Sequence, residues 1–160
     1  MNTYIIADTH FGHANIIKYC NRPFTDFIEM DYILKRNWNS TVGINDTVWH
    51  LGDFAMLPKQ NIQQLIPQLN GRKKIVLGNH DRYEKQFYLD SGFEEVYEHN
   101  EVFFEKYSMS HHPLPNPTIL NIHGHVHNTS FDFKSELHVC VCVELHDYKP
   151  ILLNSIIPQI

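Results

Sequence analysis

Tyr4-Ile5-Ile6-Ala7-Asp8-Thr9-His10 opens the chain as a strand that runs straight into a carboxylate and an imidazole. Four later stretches repeat the arrangement: residues 47–51 lead into Gly52-Asp53, residues 74–77 into Gly78-Asn79-His80-Asp81, residues 107–110 into His111-His112, and residues 119–122 towards Gly124-His125-Val126-His127. Short runs rich in β-branched and aromatic residues read as strands, so the polar groups stand at strand ends. In layered α/β folds ligands collect where strands deliver their carboxyl ends into loops. Five such deliveries can converge on one crevice.

Working outward, helical patterns separate the first strands. Asn15, Ile16, Ile17 and Tyr19 fit a short helix closed by Pro23, and Thr25 or Asp26 can cap a longer one across Ile28, Tyr32, Ile33, Lys35 and Trp38, ending before Gly43. A helix from Pro58 puts Ile62, Leu65, Ile66 and Leu69 on one face, with Pro67 tightening or ending its last turn. Asn70-Gly71 turns into the third strand, and residues 83–89 form a further helix. Beyond Gly92 the pattern becomes strand after strand, over residues 94–97, 102–105, 107–110, 118–122 and 137–145, which predicts a largely antiparallel second half. Strand-helix alternation followed by a meander argues for two sheets face to face with helices outside.

A chain of 160 residues supports one domain with a real core, so residues 1–160 are expected to form a single unit. The net charge of -5 and scattered Lys and Arg give no basic stripe for duplex nucleic acid. No spanning segment or signal peptide is evident, so a reducing cytoplasm is the expected compartment. Three cysteines at uninformative spacings, two alternating with Val139, Val141 and Val143, read as buried structural residues.

Twelve histidines exceed ordinary usage, and five of them, taking one of His111 and His112, belong to the strand-end segments. Asp8 and His10 are two apart, so in extended backbone they would share a face and meet one ion, as would His125 and His127. Asp53, alone after its strand, suits a carboxylate bridging two cations. Asn79 adds a neutral oxygen, and His111, preferred to His112 because it follows the strand directly, adds a nitrogen. Mixed oxygen and nitrogen donors suit first-row divalent metals: manganese first, with iron, nickel or zinc also admitted. Two such ions about 3.5–4 Å apart lower the pKa of a shared water and clamp a tetrahedral phosphate. His80, next to Asn79, can stand at the edge of the site and protonate a leaving oxygen, with Asp81 orienting it.

The ordered set D-x-H, G-D, G-N-H-D, His and G-H-x-H resembles the calcineurin-like metallophosphoesterase superfamily, over the span from Asp8 to His127. Local wording around residues 8–13 and 143–150 is similar to small bacterial and phage-encoded members. The resemblance implies an α/β four-layer α/β/β/α sandwich of two mixed sheets flanked by helices, and a dinuclear phosphohydrolase with a bridging hydroxide. It places Asp8, His10 and His127 on one metal, Asn79, His111 and His125 on the other, Asp53 between them, and His80 as the catalytic histidine. The substrate would be a phosphate ester, with nucleotides among the candidates and diesters ahead of monoesters because a proton donor helps an alkoxide leave. The alternative is a non-catalytic interaction scaffold with structural metals.

The remaining candidates are substrate contacts. His13 either touches phosphate or caps the helix that follows it; Arg22 and Arg82 could each hold a phosphate oxygen; His112 and Asn79 could face the substrate. His123 and His50 read as structural, His99, His138 and His146 carry no signal, and Phe11 and Phe54 could line the cleft beside a core role.

Overall fold

The computed structural model describes residues 1–98, 101–129 and 136–157; His99 lies outside them. The strands are β1 (Thr3–Ile6), β2 (Thr47–His50), β3 (Arg72–Val76), β4 (Phe93–Tyr97), β5 (Val102–Phe103), β6 (Tyr107–Ser110), β7 (Leu120–His123), β8 (His138–Cys140) and β9 (Ile151–Leu152), and the α-helices are α1 (Ala14–Tyr19), α2 (Phe27–Thr41), α3 (Lys59–Leu65) and α4 (Lys85–Ser91). The first sheet has the order β4-β3-β2-β1-β9, with β9 antiparallel to β1 and the other pairs parallel. The second runs β5-β6-β7-β8. Two mixed sheets flanked by helices make the α/β sandwich that the sequence implies.

Alternation along the strands assigns each face. Ile6, Val48 and Ile75 join one core with Ile16, Met30, Leu34, Trp38, Ile62 and Tyr88 of the four helices. Their neighbours Ile5, Trp49 and Val76 point the other way, into a second core with Met109, Leu120, Ile122 and Val141. Strands buried on both faces are apolar at consecutive positions, which is how parallel strands read. The long helix α2 starts where its sequence says: Asp26 Oδ1 accepts the Glu29 amide at 2.9 Å, and Glu29 Oε2 accepts the Thr25 amide and hydroxyl. Pro67 sits in a 3₁₀ turn, Ile66–Gln68, that tightens the end of α3.

Two expectations give way. The second half is not mainly antiparallel: β4 adds in parallel to the first sheet, and β6, β7 and β8 run parallel to one another, with only the two-residue strands β5 and β9 pairing antiparallel. A parallel pair needs a crossover, usually a helix; here the proline-rich loop of residues 111–119 makes it, pinned where Asn121 Oδ1 accepts the Leu114 amide at 3.0 Å. The expected strand over residues 137–145 stops at Cys140. Its continuation ties the sheets together instead, because the Ala7 amide donates to Val141 O and the Val141 amide to His123 O. Val143–Leu145 then turns as a 3₁₀ helix, which swings Glu144 inward. No helix among the described residues is long and apolar enough to cross a membrane.

Candidate metal centre

Three of the five candidate ligand segments leave their strands through strained backbone. Asp8, His10, Asp53, His125 and His127 have φ of 59°, 51°, 56°, 69° and 51°, a left-handed region that non-glycine residues rarely occupy and that clusters at functional sites. Asp8 and His10 therefore meet through a left-handed turn, not through the extended backbone expected for a D-x-H pair, and the same holds for His125 and His127. The turns are held by a continued ladder: the Asp8 amide donates to Gly52 O, the His10 amide to Asp53 O and the Phe11 amide to Phe54 O, each at 3.0 Å. Close approach demands glycine at position 52, where φ is 88° and a Cβ would stand 2.6 Å from both the Gly78 amide nitrogen and His111 Nδ1.

The result is a crowd of acceptor atoms. His10 Nε2 lies 3.8 Å from Asp8 Oδ1 and 3.5 Å from Asp53 Oδ2, and His127 Nε2 lies 3.6 Å from Asp8 Oδ1. Asp8 Oδ1 and His10 Nε2 are buried and lack a hydrogen-bond partner. On the other side of Asp53 Oδ2, His111 Nε2 is 3.5 Å away, 2.9 Å from Asn79 Oδ1 and 3.3 Å from His125 Nδ1. Buried polar atoms without partners are costly, and two ligands about 2.1 Å from one tetrahedral ion stand about 3.4 Å apart. The spacings and the donor types fit a divalent cation on each side of Asp53.

Protonation follows the same crowding. Burial lowers the His10 pKa, and burial with the neighbouring His112 and His111 lowers His125 to about 4, so both rings keep lone pairs free. Burial would raise Asp8, yet His10, His111 and His127 hold it below the carboxylate range. His127 goes the opposite way: burial opposes its charge, but hydrogen bonds with Cys20 and Glu144 and the Asp8 charge raise it to about 10. A proton and a metal ion would compete for that ring.

The other expected residues divide. His80 is tied in by its amide, which donates to Asp53 Oδ1 at 2.8 Å, and its ring lies 5.4 Å from that of His10 in a cleft of about 360 Å³. His13 lines the same cleft and makes no side-chain cap to α1; its Nδ1 is 3.2 Å from His10 Nδ1. His112 lies against His125 with ring centroids 3.9 Å apart and planes tilted by 49°, so three imidazoles gather at residues 111, 112 and 125. Arg82 is exposed beside a neighbouring cavity with Met56, Leu57 and Tyr83. Arg22 is not at the cleft: 4% exposed, it donates to the carbonyls of Asp8 and Thr9 and to Glu144 Oε1, which leaves no face for phosphate. Asp81 does not orient His80 either, because both its oxygens accept backbone amides, from Asp53 and Gly78 and from Phe54. Phe11 and Phe54 are fully buried against each other and line no cleft.

A family model for calcineurin-like phosphoesterases matches residues 1–150. The chain belongs to that family. Among its relatives is the uncharacterised protein MJ1445 of Methanocaldococcus jannaschii, 37% identical over 98% of this chain and 90% of that protein. The gene 66 protein of Mycobacterium phage L5 is 41% identical over 50% of this chain and 40% of its own length. A protein of unknown function from Aquifex aeolicus, AQ665, superposes with a TM-score of 0.74 at 29% identity and 97% of both chains; the Pseudomonas putida nuclease MPE does so with 0.53 at 21% identity, over 78% of this chain and 61% of the nuclease.

Within this calcineurin-like phosphoesterase, the sequence reading missed Glu144. Its side chain is 2% exposed, and Oε1 stands 3.0 Å from His127 Nδ1 while accepting from Arg22 at 2.6 Å. An Nδ1–H donating to that carboxylate turns Nε2 towards Asp8, an arrangement that orients histidines on metals. His111 is set the same way by Leu51 O, 2.8 Å from its Nδ1. The signal was an acid inside an apolar run, residues 139–145. Thr9 is a second omission: it donates to Phe54 O and meets His50 Nε2 at 2.9 Å, which gives the buried His50 its place behind the loop.

Proposed function

We propose that this chain hydrolyses phosphate esters through a dinuclear metal centre, with phosphodiesters preferred to monoesters. The observation that carries the reading is the partnerless pair Asp8 Oδ1 and His10 Nε2, buried beside Asp53 Oδ2. Asp8, His10 and His127 would hold one ion, Asn79, His111 and His125 the other, and Asp53 would be shared. When bound, such ions supply Lewis acidity and lower the pKa of a coordinated water; manganese is the first choice, with iron, nickel or zinc alternatives. Glu144 holds His127 in the tautomer whose Nε2 faces Asp8, and Leu51 O holds His111 in the one whose Nε2 faces Asp53 and Asn79. His80, fixed through its amide to Asp53, offers an imidazole at the cleft to protonate the departing oxygen. The preference for diesters rests on that donor, since an alkoxide leaves poorly without one. His13, His112 and Arg82 remain candidate substrate contacts.

The family match over residues 1–150 supports residues 1–160 as one unit, and its three free cysteines suit a reducing cytoplasm. The scaffold alternative has less support, because the donor set is complete and opens on a cleft. Hydrolysis of bis(4-nitrophenyl) phosphate tests the proposal: turnover should require added manganese and disappear on chelation, whereas equal rates with and without metal would overturn it.

A further inference from the structure

One wall of the histidine cleft is not built for phosphate. Ile16, Tyr19 and Cys20 of α1 and its end, together with Val126, line the cleft that His10, His13 and His80 also line. Tyr19 is 74% exposed. Its ring continues a line of rings from the centre outward: His13 lies 5.2 Å from His10 by ring centroid, and Tyr19 lies 6.4 Å from His13 with planes at 77°. A volume of about 360 Å³ falls in the range of small-ligand sites, about 300–1,000 Å³. A phosphoryl group is satisfied by the polar side; the apolar wall and the open tyrosine face suit a flat group attached to it.

We propose that Tyr19 is a stacking platform for a nucleobase, so that the substrate is a nucleotide phosphodiester whose base lies along α1 while its phosphate meets the histidines and carboxylates. This deepens the phosphoesterase reading and rests on it. Base-on-aromatic stacking tolerates any base, which makes the subsite selective for nucleotides over aliphatic esters and indifferent to sequence.

Two probe pairs separate the claims. Binding of a dinucleotide methylphosphonate, whose linkage is uncharged, and of its abasic counterpart is measured by titration calorimetry. The base-bearing probe should bind on the order of tenfold tighter; Tyr19→Ala should bring the two affinities together, and Tyr19→Phe should keep them apart. Hydrolysis of the corresponding natural phosphodiesters with manganese should show the same ratio in kcat/KM. Equal affinity for base-bearing and abasic probes in the wild type, or a preference that survives Tyr19→Ala, would overturn the stacking role. Selective binding without hydrolysis of either diester would leave the platform standing and overturn the esterase reading.

Discussion

Two side chains, one buried and one at the cleft, show how single residues govern the centre. Glu144 neutralises Arg22 and orients His127 at once. Glu144→Gln keeps the shape and removes the charge, so manganese affinity by calorimetric titration should fall about 10–100-fold, the usual cost of losing a partner behind a ligand. Truncation to Ala would strand a buried guanidinium and cost about 3–5 kcal/mol in urea unfolding. His80 sits at the cleft without joining either acceptor group, so His80→Ala should cut kcat about 10²–10⁴-fold with metal content kept; loss of metal in that variant would make it a ligand. The candidate ligand residues were legible because each has the right chemistry shortly after a strand. Glu144 was not, since its role depends on a 3₁₀ turn that no local pattern announces. Arg22 was misread for a related reason: proximity in sequence to a motif says nothing about which way a guanidinium folds, and here it folds under the loop.

At the scale of elements, helix α2 braces the first ligand loop. Asp31 Oδ1 accepts the Gly12 amide at 2.9 Å, and burial raises the Asp31 pKa to about 6. The folded chain therefore keeps a proton that the unfolded chain releases near its ordinary carboxylate value. Between about pH 4 and pH 6 the folded state binds more protons, so this residue makes stability fall as pH rises through that window. Asp31→Asn, which retains an oxygen for Gly12, should flatten that part of the stability–pH curve measured by urea denaturation; an unchanged slope would show that the carboxyl is not responsible. The helices and strands β1 to β3 were readable from caps, helical periodicity and apolar runs, whereas the short β9 was not. The parallel order of β6, β7 and β8 was not, because a proline-rich crossover looks like a hairpin connection until its two ends are seen at opposite ends of the strand pair.

For the whole molecule, the two sheets matter less as layers than as two sources of candidate ligands brought to one end. The first supplies Asp8, His10, Asp53 and Asn79 from β1, β2 and β3; the second supplies His111, His125 and His127 from β6 and β7. Val141, bonded to Ala7 on one side and His123 on the other, is the seam that keeps both sets in register. Asp53 stands where they meet, 3.5 Å from His10 Nε2 and 3.5 Å from His111 Nε2. The most direct test is manganese stoichiometry by equilibrium dialysis and elemental analysis, on the wild type and on Asp53→Asn. The wild type should bind two ions per chain and the variant no more than one, whereas a single ion in the wild type, or two retained by Asp53→Asn, would contradict a centre shared through Asp53.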